Sequence, residues 1–318
     1  MNILRPWSDF LDMNSKEYAR REFFDNYDYY WFKYTLERGA ATQSSFLLVG
    51  HSLPRFAVND KTIEGLINLS FLSQDYYYSG KIIERALEDI SSLRTVILGT
   101  SYISPFMDLS RARNRDELAR IVKVYDRYFD DMHNADRGIC EEIRKELLNY
   151  NSHAFDEEFA KEELFKMYDE RKDDYFCRER DRQSLSEVVW PELSSEERME
   201  ETRIRTNFHN KLCSHMDIYN ENSEILRKTA NLCHDRGARF LLMVFPLNKC
   251  YRELINPEFC DYYQKQINLI PEEYRPECFD FSKAPQIDSV TDFVDADHLN
   301  DTGAAKMTAI LSECIREN

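Results

Sequence analysis

Acyl transfer through a serine needs three residue types. A hydroxyl attacks, an imidazole takes its proton, and a carboxylate holds the imidazole in one tautomer. The chain carries such a set near its two ends. Ser52 follows Phe46-Leu47-Leu48-Val49-Gly50-His51, and His298 lies in Asp295-Ala296-Asp297-His298-Leu299-Asn300. Ser52 is a nucleophile only if folding brings His298 to it. Asp295 is three positions before His298 and can address its ring across one turn of backbone, with Asp297 as the rival for that role. His51, Asp295, Asp297 and His298 include metal-ligating types, but their spacing serves a triad equally well and matches no metal motif, so no metal and no cofactor is expected. Arg55 could clamp a substrate carboxylate or phosphate, although a structural ion pair is the commoner use of such an arginine. His209, Cys213 and His215 share one stretch and read as packing or surface residues.

The elements that must position these groups alternate. Phe46 to Val49 is a short apolar run suited to a strand covered on both faces, and Gly50 permits a sharp turn after it. Strands are expected near 45–50, 67–70, 95–100 and 240–245, with a further short one at 278–281. Helices are expected over 15–38 (capped by Asn14 or Ser15), 76–91, 219–236, 257–269 and 304–315, with Gly237 and Pro246 as stops and Asn300 or Asp301 capping the last. Strand, turn and helix in that order imply an α/β fold with a parallel sheet and helices on its faces. Ser52 then lies at the carboxyl end of the first strand, where such sheets place their ligands. Tyr27, Tyr29, Tyr30, Trp31 and Phe32 read as a packing stripe. Residues 105–218 break the rhythm with charge runs such as Asp156-Glu157-Glu158 and no clear apolar strand. They read as a large helical insertion near the mouth of the Ser52 pocket, giving three parts: 1–43, an α/β domain from 44–104 and 219–318, and the insertion.

Composition narrows the partners. The 318 residues hold 42 Lys and Arg against 58 Asp and Glu, a net charge of −16. Such a chain repels phosphate backbones and anionic membrane surfaces, so no nucleic acid is expected as a partner, whereas a protein partner could dock on the insertion. The eight cysteines form no C-x-x-C pair and are expected as free thiols. No apolar run is long enough for a signal sequence or a membrane span, so a cytoplasmic protein is expected.

Gly50-His51-Ser52 after a first strand and Asp295-Ala296-Asp297-His298 before a last helix resemble the SGNH (GDSL-type) hydrolase superfamily. Within it, Ser52 to Arg55, Asn68-Leu69-Ser70 and the Asp-x-x-His-Leu-Asn-x-x-Gly tail are similar to the branch of the D-alanyl transfer protein and the alginate O-acetylation proteins. The likeness covers roughly 44–104 and 219–316. It implies a flavodoxin-like three-layer fold and a serine esterase or O-acyltransferase. Ser52 would be the nucleophile, His298 the base and Asp295 its orienting group, with an acyl donor and a saccharide or carrier acceptor as partners. The chain departs from the family at three places. The second block, Ser70-Phe71-Leu72-Ser73, lacks the oxyanion glycine and leaves Ser73 as candidate donor. The third, Gly99-Thr100-Ser101-Tyr102, has Ser101 where an amide side chain is usual. His51 replaces the aspartate before the serine. Loss of one oxyanion donor costs about 2.7–4 kcal/mol of transition-state stabilisation, so a catalytically weakened binding or scaffold protein in polysaccharide biosynthesis is the rival expectation.

Overall fold

The computed structural model describes residues 27–150, 152, 154–156 and 189–316. Contacts divide the chain into two compact units, 1–34 with 109–184, and 35–108 with 185–318. The boundary at 34/35 falls inside the helix Tyr27–Ala41.

The larger unit is built on five strands: β1 Phe46–Gly50, β2 Leu66–Asn68, β3 Thr95–Thr100, β4 Arg239–Val244 and β5 Glu277–Asp280. All neighbours pair parallel, in the order β2-β1-β3-β4-β5. This is the flavodoxin-like order of a doubly wound α/β sheet, in which ligands bind beyond the carboxyl ends of the strands. β1, β3 and β4 read as apolar runs because helices cover both their faces. Helices Tyr76–Asp89 and Met216–Asp235 pack on each other and against β1 and β4. Helices Ser52–Ala57 and Asp301–Arg316 also pack together, the former against β1 and β3. Side chains alternate accordingly. Leu48, Ile97, Leu241 and Met243 join one core with Leu53, Ala57, Met307 and Leu311. Leu47, Val49, Val96, Leu98 and Leu242 are buried on the other face. β5 is an edge strand with exposed Glu277, whose carboxylate takes two bonds from Arg239, at 2.6 and 2.5 Å.

The expected strands and the helices 76–91, 219–236, 257–269 and 304–315 match within a few residues. The expected helix 15–38 is matched over its described part by Tyr27–Ala41, residues 15–26 lying outside the described residues. Gly237 ends its helix at φ +66°. Helices Ser52–Ala57 and Lys249–Leu254 are additional to the expected ones. Helix Ser195–Asn210, inside the stretch expected as an insertion, belongs to the sheet-bearing unit. The proposed caps at Asn14 and Ser15 lie outside the described residues. Cys140, Cys213, Cys233, Cys250, Cys260, Cys278 and Cys314 are free thiols, and Cys177 lies outside the described residues. No helix among the described residues is long and apolar enough to cross a membrane.

In the smaller unit, the aromatic stripe is core. Tyr27, Tyr29, Tyr30 and Phe32 are buried. Phe32 meets Tyr128 edge-on at 4.4 Å, the Arg127 guanidinium lies 3.8 Å from the centre of the Tyr29 ring, and Arg120 bonds buried Asp28 at 3.0 Å. Helix Arg115–Arg120 runs through a π-helical turn, Ile121–Tyr125, into Asp126–Phe129, and Arg137–Tyr150 follows.

Two glycines let the carboxyl ends of β1 and β3 meet. Gly50 and Gly99 are register partners, and Gly50 sits at φ +152°. A Cβ on Gly50 would lie 2.2 Å from the Gly99 carbonyl oxygen. A Cβ on Gly99 would lie 2.6 Å from Pro54 of the helix that begins at Ser52. Gly50→Ala is therefore expected to lower unfolding free energy by about 2–4 kcal/mol, from strained backbone plus overpacking. Ser52 should be displaced at the same time. Denaturant melts paired with ester turnover check both effects.

Candidate active site

Ser52 opens its helix directly after the Gly50 turn. His51 caps that helix, its Nδ1 accepting from the Leu53 amide at 3.3 Å. The opposite half of the site is a short hairpin, 292–300, closed by an antiparallel bridge between Phe293 and Leu299. Its base is fastened at several points. Asn300 donates to the Thr291 and Phe293 carbonyls and accepts from the Gly303 amide, so Asn300 caps the last helix. Lys306 pairs at 2.6 Å with the fully buried carboxylate of Asp292. Gly303 lets the last helix press on the hairpin, since a Cβ there would lie 2.2 Å from the Asp292 carbonyl oxygen.

The hairpin delivers His298 to Ser52. His298 Nε2 lies 2.8 Å from Ser52 Oγ, and His298 Nδ1 lies 2.8 Å from Asp295 Oδ2. A carboxylate only accepts, so Nδ1 carries the proton and donates to Asp295. Nε2 of the neutral ring is then the acceptor for the serine hydroxyl. Asp295 cannot swing freely, because its Oδ1 accepts the backbone amides of Asp297 at 3.0 Å and His298 at 2.7 Å. Phe56 meets the imidazole edge to face, with centroids 5.5 Å apart. The ring is thus held by a hydrogen bond at each nitrogen and an aromatic wall.

Asp297, the rival carboxylate, also approaches the ring. Its Oδ1 is 3.4 Å from the same Nδ1, while its Oδ2 accepts from Arg205 Nε at 3.1 Å. Arg205 comes from helix Ser195–Asn210, one turn before buried His209, whose Nδ1 is 2.6 Å from the Tyr251 hydroxyl. Burial would raise the Asp297 carboxyl, but Arg205, His298 and His209 together hold it well below the usual range. Burial pushes His51 down to about 3 and His209 to about 4, so both stay neutral. For His298 burial acts downward too, but Asp295 and Asp297 outweigh it and raise its pKa above 6.5.

Asp295, Asp297 and His298 offer ligand atoms within 4.8 Å of one another. That spacing would admit a cation, but the donors are committed. Nδ1 bears a proton shared with Asp295, and Arg205 already neutralises Asp297.

The remaining predicted residues fall as follows. Ser101 is buried, its amide donating to Ser104 Oγ at 2.9 Å and its hydroxyl 3.3 Å from the same atom. Ser73 lies on the turn after β2 with φ +56°, two residues past Phe71, whose amide bonds to the Gly50 carbonyl. Arg55 is buried, reaching the Ser70 carbonyl at 3.4 Å with its guanidinium over the Phe71 ring. The Ser52 amide has no hydrogen bond among the described residues, which leaves it a donor beside its own hydroxyl. A cavity of about 200 Å³ adjoins the carboxylate side of the site, walled by Trp190, Leu193, Ile204 and Val294 and floored by Arg205 and Asp295. No protein-family model matches the chain, and no curated protein matches it.

Proposed function

We propose that the chain is a serine esterase or O-acyltransferase of the SGNH type, acting on an acyl ester of a saccharide or carrier. The observation that carries this reading is the hydrogen-bonded line Ser52–His298–Asp295 at the carboxyl edge of a flavodoxin-like sheet. As Ser52 Oγ bonds to the acyl carbon, its proton passes to His298 Nε2 and Asp295 stabilises the imidazolium. The tetrahedral oxyanion can take the Ser52 amide. When the ester C–O bond breaks, the leaving oxygen receives the proton from His298. Water or a sugar hydroxyl then attacks the acyl-Ser52 ester, His298 takes that proton, and it returns the proton to Ser52 Oγ as the acyl–Oγ bond breaks and the product leaves. The saccharide or carrier substrate rests on the likeness to polysaccharide acylation proteins.

One observation favours a second reading, a binding or scaffold protein with the same fold. The Ser101 amide and hydroxyl both face Ser104, and the amide side chain usual at that position is missing. Turnover of p-nitrophenyl acetate, followed with and without a saccharide acceptor, separates the two. The enzyme reading expects ester cleavage, with acetylated saccharide if the chain is a transferase. Because His298 accepts a proton only when neutral and its pKa is raised, kcat/KM should fall as pH drops through a value above 6.5. Folded protein without turnover even well on the alkaline side of that limb would favour the scaffold.

A further inference from the structure

The hairpin sets two carboxylates around one ring nitrogen. Asp295 makes the shorter contact, at 2.8 Å, and Asp297 waits at 3.4 Å. What distinguishes them is Arg205. Asp297 is buried and spends its other oxygen on the Arg205 guanidinium, whereas Asp295 spends its other oxygen on backbone amides. We infer that Asp297 and Arg205 are positioning residues that set the protonation of His298. Asp297 acts as a second negative charge beside the ring, and Arg205 as the cation that draws it off the ring N–H and leaves that proton to Asp295. The inference rests on the reading of His298 as the general base.

The physical case is local electrostatics. A carboxylate this close favours imidazolium, and a guanidinium behind the carboxylate opposes it. Without Arg205, the positive charge nearest buried Asp297 among the described residues is that of His298 itself. The ring would then be held protonated between two carboxylates and could not accept from Ser52. The groups that face the ring come from four elements. His51 lies in the turn after β1, Ser52 and Phe56 in the helix Ser52–Ala57, Asp295 and Asp297 in the hairpin, and Arg205 and His209 on helix Ser195–Asn210. Tyr251, on helix Lys249–Leu254, caps His209. His51 and His209 stay neutral through the working range, with pKa values near 3 and 4, so neither charge competes. Helix Ser195–Asn210 thus acts on the base through Asp297, by the Arg205 guanidinium.

The test titrates the His298 ring by NMR in histidine-labelled protein, assigned by its loss in His298→Ala, alongside the pH profile of kcat/KM on a small ester. Asp297→Asn should lower both the ring titration and the acid limb by about one pH unit. Arg205→Gln should raise both by a similar amount, and Arg205→Lys should return most of that shift. If Arg205→Gln does not fold, Asp297→Asn and Arg205→Lys still decide. The first must move the titration down, and the second must keep it near wild type. No shift in Asp297→Asn, a shift upward in it, or a downward shift in Arg205→Gln would overturn the inference. The ring titration needs no turnover. If the opposite shifts occur in protein that cleaves no ester, the coupling stands and the catalytic reading fails. If ester is cleaved and neither variant moves the ring, the coupling alone fails.

Discussion

Ser52→Ala and His298→Ala are each expected to cut ester turnover by on the order of 10⁴–10⁶-fold while leaving the fold intact. The size follows from their being one device. The hydroxyl is not a nucleophile without the ring, and the ring has no proton to move without the hydroxyl. The double variant should therefore lose no more than either single one, as groups acting as a unit are not additive. Stability should change little. The Ser52 hydroxyl bonds to His298, and losing one such bond costs about 1 kcal/mol. Circular dichroism and denaturant midpoints on the same preparations check that the loss is chemical. A variant that keeps more than a tenth of wild-type activity would be incompatible with a Ser52 nucleophile.

Asp295→Asn is the second large effect, and the geometry makes it sharper than simple charge loss. The Asn oxygen would keep the two backbone amides that now bond to Asp295 Oδ1. Its NH₂ would then face His298 Nδ1 and require that nitrogen to accept. The ring proton moves to Nε2, pointing at Ser52, and the imidazole can no longer take the hydroxyl proton. A tautomer error of this kind costs about 10⁴-fold, and Asp297 at 3.4 Å can recover part of it, so a fall of about 10²–10⁴-fold is expected. Asp295→Ala imposes no wrong tautomer and lets the Nδ1 proton turn to Asp297. It should lose less than Asp295→Asn. Steady-state kcat on one ester for the three proteins gives the comparison, and the order Asn worse than Ala is the diagnostic outcome.

The sheet was readable because its central strands are continuous apolar runs bounded by Gly50, Gly99 and Pro246, and its long helices carry apolar stripes. Ser52, Asp295 and His298 were readable as candidates because a serine after a strand and an Asp-x-x-His before a helix need no tertiary information to be noticed. Arg205 and His209 were not readable as site residues, for a physical reason. Helix Ser195–Asn210 buries a polar face, Thr202, Thr206 and His209, and exposes Ile204 and Phe208. The two threonine hydroxyls satisfy themselves on the carbonyls of Arg198 and Thr202, four residues back. A buried face made of self-satisfied threonines leaves no apolar period to read, so the helix passed for part of a solvated insertion. The choice between Asp295 and Asp297 was likewise beyond the sequence. It depends on backbone amides and on a guanidinium about ninety positions away in the chain, at Arg205.

Peptide mapping after exposure to a fluorophosphonate probe asks most directly whether the serine is activated. The account predicts a single covalent adduct, on Ser52, in the wild-type protein. That adduct should be absent in Ser52→Ala and His298→Ala, and its rate in wild type should fall as pH drops below the raised His298 pKa. Folded wild-type protein that takes up no probe at Ser52, or labels equally well in His298→Ala, would contradict it.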